Sequence, residues 1–137
     1  MPRPRALRLF FAYEGPEVRL VSAEPVEMTP PPSDPLEPEE GTSGFWYELR
    51  DARGARLYRR ITHNPIRSSA EVLTDDRERP IAREELSAVR GHFVLLAPNP
   101  EEATSAVLVG PPADDPAAPA KEIARFDLRS APKRADA

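Results

Sequence analysis

Residues 44–61 show the clearest alternation of apolar and charged positions in the chain. Two segments in which aromatic or aliphatic residues alternate with charged ones flank a short turn, and this pattern predicts a β-hairpin. Gly54 ends the turn and suits the left-handed residue that closes a three-residue loop. Asp51 should then face Ala55, and the pairing of the two strands follows by counting outward from that pair.

The predicted register divides the hairpin into an apolar face and a mixed face. On the apolar face Leu49 opposes Leu57. Further from the turn, Phe45 opposes Ile61. A shift by one residue would scatter this apolar face, which favours the register as counted. The mixed face then carries four residues: Trp46, Glu48, Tyr58 and Arg60.

Other segments of the chain have the length and alternation of strands. Residues 91–97 are apolar on both faces, which predicts a central strand, and residues 105–109 are expected to return antiparallel to it. Residues 81–89 contain good helix formers but are too short for a stable helix, so we expect coil or strand with one helical turn. The remaining predicted strands are residues 6–13, 18–23, 70–73 and 122–128.

Seven to eight short strands separated by glycine and proline turns predict an all-β fold. A tryptophan on a central hairpin strand, followed by a strand pair, favours an antiparallel β-sandwich of immunoglobulin-like or fibronectin-III-like type. One domain is expected at residues 6–129, between an N-terminal tail at 1–5 and a C-terminal tail at 130–137. Within the domain the prolines mark two long connections: an acidic crossing at 29–43 and a loop at 110–120.

Charge and composition exclude several classes of function. The 137-residue chain carries 23 acidic and 19 basic residues, a net charge of −4, which argues against general attraction to nucleic acid or anionic membranes. There is no cysteine, so disulfides and thiolate metal sites are excluded. The N-terminus has no long uncharged apolar region, and nothing approaches a membrane span. For a complete chain we therefore expect a soluble cytoplasmic protein; the oligomeric state stays open.

No catalytic motif stands out in the sequence. The only histidines, His63 and His92, lack the spacing of a zinc site. Ser68 and Ser69 precede two aspartates and follow His63, which leaves a Ser–His–Asp arrangement conceivable, but no nucleophile elbow surrounds either serine. No glycine-rich phosphate loop is present. We therefore predict no catalytic residue, no metal and no cofactor. Three acidic pairs lie in polar loops, where solvation accounts for them: Glu39/Glu40, Glu84/Glu85 and Glu101/Glu102.

The mixed face of the hairpin is the predicted binding surface. Trp46, Tyr58 and Arg60, with Glu48 beside them, are residue types that dominate protein interfaces, and such aromatics also stack on sugars. In the structural alternative, Trp46 is covered by the opposite sheet or by the proline-rich crossing, with Arg60 packed on its ring as a cation–π pair. The acidic crossing is a second candidate, as a docking segment or simply a solvated loop.

The first half of the chain resembles one family. Leu-Arg-Leu-Phe-Phe-Ala-Tyr-Glu-Gly at residues 7–15, followed by Gly-Phe-Trp-Tyr-Glu-Leu-Arg-Asp-Ala-Arg-Gly-Ala-Arg-Leu-Tyr-Arg-Arg-Ile at residues 44–61, is similar to the β-sandwich domain that precedes the catalytic domain of IgA-peptidase-like zinc metallopeptidases. The shared motif is a strand, an Asp-x-x-Gly turn and a second strand. The resemblance implies an accessory domain. It carries over no catalytic residue, because this chain has no zinc-binding helix.

The leading hypothesis is a non-catalytic β-sandwich that acts by binding, as a small interaction protein or as an accessory module of a larger assembly. Its partner is expected to be another protein. Two alternatives come from other classes: a small hydrolase with a loop-built site near His63, and a carbohydrate-binding module that uses exposed aromatic residues.

Overall fold

The computed structural model describes residues 5–15, 17–66, 89–111 and 117–129. Of the predicted elements, the strand at 70–73 and nearly all of 81–89 lie outside these residues. The described residues form seven strands and no helix, so no helix among them could span a membrane. The strands are β1 (Ala6–Glu14), β2 (Glu17–Val26), β3 (Phe45–Arg50), β4 (Arg56–Thr62), β5 (Arg90–Pro98), β6 (Ser105–Gly110) and β7 (Lys121–Asp127).

The strands form two packed sheets, and every paired neighbour is antiparallel. The first sheet has the order β2-β1-β5 and the second has the order β4-β3-β6-β7. This confirms the predicted all-β antiparallel β-sandwich. In the first sheet β1 lies at the centre, whereas the immunoglobulin order places the second strand of the chain there. The immunoglobulin or fibronectin-III type therefore stays a prediction.

The core lies between the sheets and is built by alternation along the strands. On β1 the alternate residues Leu7, Leu9 and Phe11 are buried and face the second sheet, as the predicted period of two requires. The ring of Phe11 meets that of Phe126 on β7 edge-on, with centroids 5.3 Å apart. The hydroxyl of Tyr47 on β3 donates to the backbone carbonyl of Leu96 on β5. Both contacts join the two sheets.

Two predicted neighbours do not pair. Among the described strands β5 lies at the edge of the first sheet rather than at its centre, and β6 pairs with β3 and β7 instead of β5. The segment after β5 carries the chain across to the second sheet, where Thr104 N donates to Arg50 O at 2.8 Å. The central position belongs to β6, whose residues from Ala106 to Gly110 are all buried, whereas Val94 on β5 is 47% exposed.

The turn of the β3–β4 hairpin is as predicted. Gly54 has φ of +82°, in the left-handed region that favours glycine. Its N–H donates to Asp51 O at 3.0 Å, and Asp51 N donates to Ala55 O at 3.0 Å. The carboxylate of Asp51 also accepts from the backbone N–H groups of Arg53 and Ala55, both at 2.9 Å. Local chemistry at Asp51 and Gly54 therefore determines this turn.

Beyond the turn the predicted register is wrong. A β-bulge between Leu49 and Arg50 leaves Leu57 without a partner, so Leu49 pairs with Tyr58 rather than with Leu57. The bulge places Tyr58 in the core, where it is 2% exposed. Trp46 consequently pairs with Ile61 instead of Arg60. Each residue of β4 beyond the bulge projects on the face opposite to the one predicted for it.

A strap-covered cleft on the second sheet

The edge of β4 is covered by residues 31–42, which we call the strap. Asp34 N donates to Arg59 O at 2.7 Å, and Arg59 N donates to Ser33 Oγ at 3.2 Å. Ile61 N donates to Asp34 Oδ2 at 2.7 Å. The side chains of Ser33 and Asp34 thus supply acceptors that a regular neighbouring strand would offer from its backbone carbonyls. The four prolines of the strap have no N–H to donate, which disfavours a regular ladder along this edge.

From this edge the strap passes onto the outer face of the second sheet, the face turned away from the core. Its first residue lies on the core side of the edge, where Tyr58 donates its hydroxyl hydrogen to Pro31 O at 3.0 Å. Further along, Arg59 Nη1 donates to Pro35 O at 2.9 Å. At the far end, Ala120 N, next to β7, donates to Thr42 O at 2.9 Å. The strap is therefore held at both edges of the sheet and crosses between them.

A buried carboxylate lies beneath the strap. The side chain of Glu48 is 0% exposed, and three residues of the outer face surround it. Trp46 Nε1 donates to its Oε2 at 2.7 Å, and Arg50 Nε donates to its Oε1 at 2.8 Å. Arg56 Nε lies 3.0 Å from Oε2 and forms an ion pair. Oε2 thus has Trp46 Nε1 and Arg56 Nε as close neighbours. Oε1 has two nitrogens of Arg50, Nε and Nη2.

These contacts keep Glu48 ionised. Burial alone would raise the pKa of a carboxyl group, because a low-dielectric surrounding penalises the charge. The hydrogen bonds from Trp46 and Arg50, together with Arg56, outweigh that effect and lower the pKa of Glu48 below its ordinary value. A carboxylate that is charged at neutral pH in turn fixes the two arginine side chains in one arrangement.

Trp46 is enclosed from the other side by Arg59. The guanidinium carbon of Arg59 lies 4.5 Å from the centroid of the indole ring, within cation–π distance. Both residues are buried, with 4% and 3% exposed. An arginine thus covers Trp46, as in the structural alternative, and Trp46 lies on the face that the strap crosses. The arginine is Arg59 rather than the predicted Arg60, because the bulge shifts β4 by one residue.

Between the strap and the sheet an open cleft of about 390 Å³ remains. Its floor includes Trp46, Glu48 and Val109. Strap residues 37–42 form one wall, and residues 119–122 form the opposite wall. This volume lies within the range of pockets that hold small molecules or single side chains, roughly 300–1,000 Å³.

The four predicted binding residues do not form one exposed surface. Trp46 and Glu48 lie on the outer face and line the cleft. Tyr58 lies on the inner face in the core, and Arg60, on the same face, reaches round to donate to Pro32 O at 3.0 Å. The prediction of a shared mixed face is wrong for the reason given above: the bulge reverses the orientation of Tyr58 and Arg60.

The candidates for catalysis are not brought together among the described residues. His63 is exposed at the end of β4, and the serines and aspartates proposed to accompany it lie outside the described residues. His92 is exposed and stacks on Phe10, with centroids 5.5 Å apart. No group of three or more potential metal ligands occurs in the part of the chain that the structure describes.

The three acidic pairs lie in different parts of the molecule. Glu39 and Glu40 line the cleft, and Glu101 and Glu102 lie exposed after β5. Glu84 and Glu85 fall outside the described residues.

Among the described residues no phenylalanine, tyrosine or tryptophan is exposed. The exposed large apolar residues among the described ones are Val21, Met28, Leu36, Ile61 and Val94. Stacking on a sugar requires an accessible aromatic face, so no described residue favours the carbohydrate-binding alternative.

Sequence reasoning overlooked Arg50, Arg56 and Arg59. One signal was available: in a strand, residues two apart share a face, so Trp46, Glu48 and Arg50 belong together by alternation alone. Arg56 opposes Arg50 in both the predicted and the observed register, so counting from the turn also places it on this face. The position of Arg59 on this face depends on the bulge, which leaves no mark in the alternation.

Comparison with protein-family models, with curated proteins and with solved structures found no match for this chain. Its function must therefore be argued from the geometry of the cleft.

Proposed function

We propose that this protein is a non-catalytic binding module that recognises a segment of another protein in the cleft beneath the strap. The observation that carries the proposal is the cleft itself. It is open to solvent, has the volume of a ligand site, and its floor is a set of charged and aromatic side chains held in place before any ligand arrives.

Preorganisation favours binding at such a site. Trp46, Glu48 and Arg50 are already connected by hydrogen bonds of 2.7 to 2.8 Å. A ligand that enters the cleft does not have to order these side chains, and the entropic cost of ordering them is avoided, about 0.5–1.5 kcal/mol for each long side chain. The role as an accessory module of a larger assembly rests on the family resemblance of the first half of the chain, and it belongs to the same proposal.

A peptide-display selection tests the proposal. A random peptide library is selected on the full chain and counter-screened on Ala120→Trp, which fills the cleft from its far wall. Val94→Trp, at an exposed position of the first sheet, serves as the matched control. We expect enriched peptides that bind the wild-type protein and Val94→Trp but not Ala120→Trp.

Circular dichroism and thermal unfolding of both variants establish that they are folded. If Ala120→Trp does not fold, Lys121→Trp, at an exposed position on the same wall, replaces it. Peptides that bind all folded variants equally, or a selection that enriches nothing, would contradict the proposed function.

A further inference from the structure

We propose that the cleft is specific for a basic peptide segment and receives an arginine or lysine side chain from it. This inference rests on the proposed function and adds the chemical class of the ligand. Two independent features of the cleft support it: the balance of charges around it and the distribution of apolar and acidic surface within it.

The charge balance of the cleft is negative. Its lining contains five glutamates against two arginines and one lysine. The two arginines are committed to the buried Glu48, at 2.7 Å from Arg50 Nη2 and 3.0 Å from Arg56 Nε. They are therefore poorly placed to attract an anionic ligand. The walls of the cleft carry four glutamates against one lysine, Lys121, so the excess charge that an approaching group meets is negative.

Not all of the rim carboxylates are neutralised by the protein. Glu122 pairs with Arg125 at 2.7 Å, and Glu37 pairs with Arg56 at 3.2 Å. Glu39 and Glu40 make no ion pair among the described residues. Both are exposed and line the cleft on its strap wall.

Part of the surface between the rim and the buried charges is apolar. Val109 and Ala120 line the cleft and pack in one small cluster with Trp46. An acidic rim around an apolar lining complements a long basic side chain, whose methylene stem packs on apolar groups while its charged head stays near carboxylates and water. A free metal ion or a polyanion would use only part of this surface or be repelled by it.

The test is a binding titration with three labelled heptapeptides that differ only at two positions. Both positions hold arginine in the first peptide, citrulline in the second and glutamate in the third. Citrulline keeps the shape of arginine and removes its charge. Fluorescence anisotropy at physiological ionic strength should show binding of the arginine peptide at least about tenfold tighter than that of the citrulline peptide, and none of the glutamate peptide. Ala120→Trp should abolish binding of the arginine peptide.

Two matched double variants localise the effect. Glu39→Gln with Glu40→Gln should weaken arginine-peptide binding about fivefold, the loss expected for two partly exposed ion pairs. Glu101→Gln with Glu102→Gln changes the net charge equally, at exposed positions between β5 and β6, and should leave binding unchanged. Both double variants alter exposed side chains, so their folding is readily confirmed by thermal unfolding.

The outcomes separate the two proposals. Equal affinity for the arginine and citrulline peptides, abolished by Ala120→Trp, would overturn the basic specificity and leave the binding function intact. Equal weakening by both double variants would mean attraction to the overall negative charge and would also overturn it. If no heptapeptide binds and display selection enriches nothing, both the specificity and the function are wrong.

Discussion

The two faces of β3, in the second sheet, are both buried, but by different chemistry. Along β3 every residue from Phe45 to Leu49 is buried. The inner residues Phe45, Tyr47 and Leu49 pack in the core between the sheets. The outer residues Trp46 and Glu48 lie beneath the strap, in a network of hydrogen bonds and ion pairs.

This difference separates two ways of stabilising a sheet. Apolar burial on the inner face contributes in proportion to the area removed from water, roughly 25 cal/mol per Å². A buried ion pair contributes little net free energy, because desolvation offsets its attraction, but breaking it leaves a buried charge without a partner. The inner face should therefore provide most of the stability, while the outer face provides a fixed arrangement of charged groups.

The largest expected effect is on the inner face. Phe45→Ala removes a side chain that is 2% exposed and should lower the free energy of unfolding by about 3–5 kcal/mol. Ile61→Ala is the control, since Ile61 is apolar but 52% exposed on the outer face, and its effect should stay below about 1 kcal/mol. Urea denaturation measures both, and similar values for the two variants would contradict the division between the faces.

Breaking the outer network should have the next largest effect. Glu48→Gln preserves the size of the side chain but leaves Arg50 and Arg56 without their common anion. Loss of one partner of a buried pair costs about 3–5 kcal/mol, and since the arginine side chains are 15% and 28% exposed we expect about 2 kcal/mol. Glu17→Gln, at an exposed position on β2, should change the stability by less than about 0.5 kcal/mol. A neutral effect of Glu48→Gln would show that the network does not constrain the fold.

The fall in stability at acid pH, the acid limb of a plot of stability against pH, should depend on the outer face. The pKa of Glu48 is lowered in the fold, so its ionised form stabilises the protein above the pKa of an unfolded glutamate, about 4.3. This contribution is lost as the pH falls through the lower folded-state pKa. Denaturation midpoints measured below about pH 5 should therefore fall less steeply with decreasing pH in Glu48→Gln than in the wild type. Identical slopes would contradict the assignment.

The fall in stability at alkaline pH, the alkaline limb of the same plot, should depend on the inner face. Burial raises the pKa of Tyr47 and of Tyr58, so the neutral hydroxyls are favoured in the fold. Their contribution is fully present below the pKa of an unfolded tyrosine, about 10, and is lost as the pH rises above it. Tyr47→Phe should flatten this limb and leave the acid limb unchanged; a change in the acid limb instead would show that the two faces are not independent.

The smallest expected effect concerns the strap. Ser33→Ala removes the acceptor for Arg59 N and should cost about 1 kcal/mol. Ser43→Ala is a matched control beyond the strap, at an exposed position. Because the strap covers Trp46, a loosened strap should also shift the tryptophan emission of Ser33→Ala to longer wavelength. Equal unfolding midpoints and equal emission spectra of the two serine variants would argue that the strap is held by other contacts.

The elements that could be predicted from the sequence are those determined by local chemistry. The apolar alternation of β1, the turn at Asp51 and Gly54, and the all-β class follow from patterns within a few residues. The neighbours of β5 and β6 could not be predicted, because an apolar run does not specify which sheet it joins. The bulge at Leu57 could not be predicted either, since it depends on Tyr58 finding space in a core formed by distant strands.

The candidate site shows the same limit. Trp46 and Glu48 were recognised by residue type, but the sequence placed them on an open surface. The covering segment begins more than ten residues before Trp46 in the chain, and no periodicity in its proline-rich sequence indicates what it covers. Contacts of this kind depend on the assembled sheet and not on the strand that carries the residue.

The order of the chain gives the strap a further consequence during synthesis. The strap leaves the ribosome before β3 and β4, so it is synthesised before the surface that it will cover. Prolines and carboxylates keep such a segment extended and hydrated, and they disfavour its pairing with another strand before the sheet has formed. We expect closure of the strap over the finished sheet to be among the last steps of folding.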